Sequence, residues 1–292
     1  MQACGDPLNA LTVDVEDYYQ VTAFERVVRR EDWGQYPSRV VANTHRVLDL
    51  LARHGVRGTF FTLGWIAQRW PELVREIAAA GHEIGTHSYW HRMIHDLSPA
   101  EFREDLRRSI GVLEGILSTQ VTLHRAPSFS VTKRSLWALD ILVEEGIRVD
   151  SSIFPVHHDR YGMPDAPLEI HRIDTPAGAL WEFPPSVARV GGMRLPVAGG
   201  GYFRMFPLSW TTALLRRIHH FDRRPFLVYF HPWEIDPGQP RIAVRSWLSR
   251  FRHYVHLAGT EAKLASLFQQ FRFAPLGEVV DTVMNRTHHA LS

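Results

Sequence analysis

The chain has 292 residues, 45% of them apolar, with 33 basic against 31 acidic side chains and a formal charge of +2. That apolar share supplies a substantial core and excludes general disorder, and from the near balance of charge alone no polyanion-binding surface follows, a local basic patch aside, so nucleic acid is not an expected partner. Cys4 is the one cysteine, which excludes an internal disulfide and suits a reducing compartment.

The start, MQACGDPLNALTV, lacks the basic region and long apolar core of a signal peptide. No charge-free apolar run approaches the roughly 20 residues needed to span a bilayer, so a cytoplasmic protein without a transmembrane segment is expected. Asn9 to Val15 (NALTVDV) predicts a first strand. In the next stretch Val40, Val41, Thr44, Val47, Leu48 and Leu51 share one helical face. Gly58 to Gly64 (GTFFTLG) predicts a second strand, a helix follows around Pro71 to Ala80, and HEIGTH makes a third strand. Ser98-Pro99-Ala100-Glu101 carries the start signal of a long amphipathic helix reaching about Leu117. VTLHRA, a helix over Ser135 to Glu145, and IRVDSS continue the alternation.

From about Phe154 to Phe206 the pattern breaks into Pro- and Gly-rich sequence with short strand candidates such as LWEFPPS. A helix near Leu208 to His219, the strand PFLVYFH, and helices near Ala243 to His256 and Thr260 to Phe271 close the chain. Strands and helices alternating at this interval imply a parallel sheet or (β/α) barrel. The simplest organisation is one domain over 1–292, with an irregular insertion and a C-terminal helical extension over 240–292.

Parallel α/β folds place their sites where strands end. Strand one ends at Asp14-Val15-Glu16-Asp17, the third at His87, the next at His124-Arg125, the next at Asp150, and the last at His231. A polar residue at one strand end needs only solvation to explain it; carboxylates, imidazoles and a guanidinium at five of them suggest a shared site. The pair His87 and His91 is weak alone, because 17 histidines give about one such spacing by chance. Two imidazoles and a carboxylate, however, form the facial triad of several divalent metals. Either Glu16 or Asp17 supplies the carboxylate, and His95 is spare. Asp14 is then the candidate general base, with Arg125 holding it ionised. His231 is the candidate acid, with Asp150 orienting its ring. That set suffices to hydrolyse an amide or ester.

These segments resemble the polysaccharide deacetylases of carbohydrate esterase family four, the nodulation-protein-B homology group, over roughly Leu11 to Glu234. LTVDVED, HSYWH, RAPSFS, VDSS and YFHPW are similar to the family's five motifs, in family order. The resemblance implies a distorted (β/α) barrel with fewer than eight strands and one divalent metal, usually zinc. It also implies an N-acetylated saccharide as substrate, an arginine that tethers the base, and a backbone amide at the oxyanion. Most members have adjacent aspartates in the first motif, whereas here Asp14 and Glu16 sit two apart. Strand alternation sends both to one side, favouring Glu16 over Asp17 as ligand. DVEDYY, EFPPS, GGGYFR and RFRHYVHLAG further resemble deacetylases encoded with exosortase-linked exopolysaccharide export. A cytoplasmic member would act on a lipid-linked or nascent precursor. The alternatives are an allantoinase-like cyclic amide hydrolase, favoured by a narrow pocket without aromatic rails, and a saccharide-binding protein that has lost catalysis. Tyr18, Tyr19, Tyr89, Trp90 and Trp233 flank the motifs and suit either sugar faces or core packing.

Overall fold

The computed structural model describes residues 8–158, 161–197, 199–244 and 246–291, so Cys4 lies outside the described residues. β1 (Asn9–Val15) is buried along its whole length, as a parallel strand covered on both faces must be. Alternation divides its side chains. Leu11, Val13 and Val15 join an outer core, whereas Ala10 faces an inner one with Phe61, Leu123, Val149 and Tyr229. Thr12 and Asp14 share the side of Ala10 and so point into the interior.

The chain then alternates: α1 (Val40–Arg53), β2 (Thr59–Thr62), α2 (Gly64–Arg69), α3 (Pro71–Ala79), β3 (Glu83–Thr86), α4 (Pro99–Leu117), β4 (Leu123–His124), α5 (Trp137–Glu144) and β5 (Val149–Asp150). Ser98 caps α4 as expected, its hydroxyl accepting from the backbone of Glu101 while that carboxylate accepts from Ser98 N–H. The second strand stops short of Gly64, which instead opens α2. Gly64 N–H donates to Ser88 O at 2.9 Å, and the glycine lies against Tyr89 and Ser109, where a Cβ would come within 2.6 Å of Tyr89 Cδ2 and 2.9 Å of Ser109 Cα. Gly64→Ala should therefore force α2 away from α4, at a cost of about 1–3 kcal/mol. A lowered midpoint of urea unfolding with unchanged slope is the expected readout.

Beyond β5 run β6 (His171–Thr175), β7 (Gly178–Glu182), β8 (Val187–Val190), β9 (Met193–Pro196), α6 (Gly200–Met205), α7 (Leu208–His220), β10 (Leu227–Phe230), α8 (Trp247–Tyr254), α9 (Leu257–Gln270), β11 (Phe273–Ala274) and α10 (Leu276–Leu291). The main sheet has the order β10-β1-β2-β3-β4-β5-β7-β6, and β11 pairs with the start of β1. Seven strands from β10 to β7 run parallel; antiparallel β6 and parallel β11 bring the total to nine. The fold is thus mixed α/β on a parallel sheet. Among the described residues no ladder joins β10 to β6, so hydrogen bonds do not close it into a ring.

The irregular stretch contributes β7, which contains part of the expected LWEFPPS strand and pairs directly with β5. The C-terminal stretch is helical apart from the short β11. Leu276, Val279 and Val280 of α10 pack into the inner core beside Ala10 and Leu227, filling the end of the sheet opposite the strands' carboxyl termini.

Candidate active site

The parallel register aligns the strand ends. Val15 pairs with Thr62, Thr62 with Thr86, Thr86 with His124, and His124 with Asp150. The next residues on β1, β3, β4 and β5 therefore enter one common layer: Glu16, His87, Arg125 and Ser151. His231 follows β10 at the level of Asp14, since Val13 pairs with Phe230. Parallel pairing is the physical reason that residues distant in the chain converge.

Glu16, His87 and His91 each offer one ligand atom, and these atoms lie within 4.8 Å of one another. All three side chains are buried. Nδ1 of His87 lies 2.8 Å from Arg125 O; a carbonyl only accepts, so Nδ1 carries the proton and Nε2 keeps its lone pair free. Burial pushes the His87 ring down to about 4, against the opposing charge of Asp14, leaving it neutral at physiological pH. Oε2 of Glu16 approaches Nε2 of His91 at 2.9 Å without the geometry of a hydrogen bond and is otherwise an unpartnered buried oxygen. Burial raises the Glu16 carboxyl, but His91 and His231 outweigh it and hold the group down to about 2. An ionised carboxylate with an orphaned oxygen, facing two imidazoles, fits a divalent cation.

Asp17 is not in this cluster. Its Oδ2 accepts from Ser38 Oγ at 2.7 Å, Arg39 N at 2.9 Å and Val40 N at 3.2 Å, which anchors the start of α1. His95 also stands apart, with Nδ1 3.3 Å from Ser130 O.

Arg125 is fully buried and donates through Nη1 to Asp14 Oδ1 and to Thr12 Oγ1, both at 2.7 Å. Its Nη2 reaches Ser151 Oγ at 2.9 Å and its Nε reaches Ser151 O at 3.2 Å. Nε2 of His231 is 3.9 Å from Asp14 Oδ2 and 3.3 Å from Glu16 Oε1. Burial disfavours a charged His231, but Glu16, Glu234 and Asp14 prevail and raise the ring to about 9.

The orienting partner of His231 is Glu234, not Asp150: Nδ1 of His231 lies 2.6 Å from Glu234 Oε1. Arg204 of the GGGYFR segment in turn donates from Nε to Glu234 Oε2 at 2.7 Å, and this guanidinium outweighs burial to hold Glu234 below the usual carboxylate range. Asp150 instead pairs with His124 Nδ1 at 2.7 Å and accepts from Ser152 Oγ at 2.5 Å. The reason is alternation: Asp150 shares the register and face of His124 and Glu182, while Arg125 and Ser151 point the other way. Glu182 sits high in consequence, from burial and then the neighbouring Asp150. The sequence signal for Glu234 was its i+3 spacing from His231 across Pro232, a cap-like arrangement; Arg204 carried no such local signal.

A cavity of about 440 Å³ opens over these groups, lined by Asp14, Glu16, His87, His91, His231 and Trp233, among others. Ser88, His91, Ser128 and Phe129 hold left-handed φ values of 63°, 50°, 52° and 52° around it, a concentration of backbone strain typical of functional sites. Among the five flanking aromatics, Trp233 lines the cavity and donates from Nε1 to Glu16 Oε1 at 3.3 Å. Tyr18, Tyr19 and Tyr89 are buried instead, and Trp90 packs edge-on against Tyr89.

Residues 32–143 match the family described as polysaccharide deacetylase, and residues 151–281 match a domain of unknown function, DUF3473. A peptidoglycan-N-acetylglucosamine deacetylase of Bacillus cereus is 28% identical over 120 residues, 37% of this chain and 44% of that protein. A chitooligosaccharide deacetylase of Bradyrhizobium sp. is 31% identical over 100 residues, 34% of this chain and 43% of that protein. The matched part thus spans less than half of either relative. Among solved structures, a Mycobacterium smegmatis protein assigned as a polysaccharide deacetylase superposes with a TM-score of 0.63 at 20% identity, covering 98% of this chain and 94% of that one. Bacillus subtilis peptidoglycan deacetylase PdaC does so with a TM-score of 0.50 at 14% identity, covering 98% and 95%. Both likenesses concern the fold. Residues 32–143 thus carry a polysaccharide deacetylase domain, and residues 151–281 carry the DUF3473 region.

Proposed function

We propose that this protein removes N-acetyl groups from a poly- or oligosaccharide by metal-dependent hydrolysis, with zinc as the ion, in cytoplasmic exopolysaccharide biosynthesis. The observation that carries the proposal is the convergence of Glu16, His87 and His91 beside an Asp14 clamped by Arg125. Aromatic side chains in the cavity wall, Phe129, Tyr202, Tyr229 and Trp233, favour a sugar ring over a small cyclic amide.

Glu16, His87 and His91 would hold the ion, which supplies Lewis acidity and an activated water when bound. Asp14, with Oδ1 fixed by Arg125, accepts the proton of the attacking water through its other oxygen. His231, its Nδ1 proton held by Glu234, presents Nε2 as the donor to the departing amine, and acetate leaves. The Arg125 and Glu234 contacts pre-orient base and acid, so neither must reorganise during the reaction.

Elemental analysis of the purified protein, alongside acetate release from N-acetylated oligosaccharides, tests this proposal. About one equivalent of divalent metal is expected in the wild type and far less in His87→Ala, with acetate release lost in parallel. Unimpaired acetate release by metal-stripped protein, or turnover of allantoin with none of acetylated sugars, would refute the assignment.

A further inference from the structure

α8 forms part of the cavity wall through Leu248, Ser249 and Arg252, yet it also carries the densest exposed apolar surface among the described residues. Trp247 is 73% exposed, Leu248 40% and Phe251 48%, and the Trp247 and Phe251 rings lie 6.4 Å apart. Three large apolar side chains displayed from five consecutive positions are not explained by folding, because each would gain from burial. Arg250 and Arg252 lie on the same helix and form no ion pair among the described residues.

The surrounding sequence sharpens the chemistry. Residues 240–260 contain Arg241, Arg245, Arg250 and Arg252, but no Asp, Glu, Asn or Gln. The stretch thus carries basic charge with no acidic side chain to balance it. Aromatic and aliphatic side chains beside Arg250 and Arg252 complement a lipid interface with anionic headgroups. The helix is also firmly mounted. Arg204 donates to the carbonyls of Arg252 at 2.8 Å, His253 at 2.7 Å and Val255 at 2.9 Å, tying the end of α8 to the residue that holds Glu234.

We propose that α8 docks the protein on an anionic bilayer, with Trp247, Leu248 and Phe251 entering the interface and Arg250 and Arg252 engaging lipid phosphates. Docked in this way, the cavity mouth faces the membrane surface. The proposal is independent of the deacetylase assignment, because its readout is binding alone.

The test is co-sedimentation of the full chain with vesicles of phosphatidylcholine, or of phosphatidylcholine and phosphatidylglycerol at equal parts. The wild type is expected to sediment with the mixed vesicles and not with phosphatidylcholine alone. W247S/F251S and R250S/R252S, checked for unchanged thermal unfolding, should each weaken that binding by roughly tenfold or more. Absence of wild-type binding to the mixed vesicles overturns the proposal, as does unchanged binding of W247S/F251S. Loss of retention on an immobilised N-acetylated glycan by these variants, with vesicle binding intact, would assign the surface to the sugar chain instead.

Discussion

Asp14→Asn is expected to lower kcat for acetate release by about 10²- to 10⁴-fold, the range for removing a positioned general base. The substitution preserves shape, and the amide oxygen can still accept from Arg125, so the fold should survive. Glu16, His87 and His91 are untouched, so metal content should match the wild type. Loss of turnover with metal retained separates a base from a ligand. If the variant released acetate at the wild-type rate, proton abstraction would have to be assigned elsewhere; if it lost its metal, Asp14 would be part of the ion site.

Arg125→Met should produce the largest loss of stability. The guanidinium is fully buried, makes four hydrogen bonds, and lies 4.4 Å from the centre of the Phe61 ring. Methionine fills much of the volume but leaves the Asp14 carboxylate buried without its cation. Breaking one side of a buried pair in this way costs about 3–5 kcal/mol. Chemical unfolding of the single variants and of the double variant D14N/R125M tests the coupling. The double variant should lose clearly less than the sum of the singles, because removing the charge on Asp14 relieves the penalty left by Arg125. Strict additivity would mean that the two side chains contribute to stability independently, despite their contact.

Much of the site was legible one residue at a time. His87, Arg125 and His231 each follow the last apolar residue of a strand or stand one step beyond it, and alternation alone ranked Glu16 above Asp17. Asp150 shows where that reasoning was not carried far enough. Its pairing with His124 puts it on the outer face, and the same two-residue period that favoured Glu16 excludes it from contact with His231. Glu234 was within local reach, because the turn opened by Pro232 folds a residue three positions on back onto the imidazole. Arg204 lies 30 positions before Glu234, in the Gly-rich GGGYFR segment. Nothing local announces such a contact.

The alternation of strands and helices, the inventory of groups at the strand ends and the cap of α4 follow from the sequence by itself, because they depend on periodicities of 2 and 3.6 residues and on side chains within a few positions. That Arg204 reaches Glu234, how β7, β11 and α10 complete the body, and which aromatics reach the cavity were decided only in the tertiary structure. Those outcomes depend on strand register and on contacts between residues tens to hundreds of positions apart, whose energies exist only after the sheet has assembled.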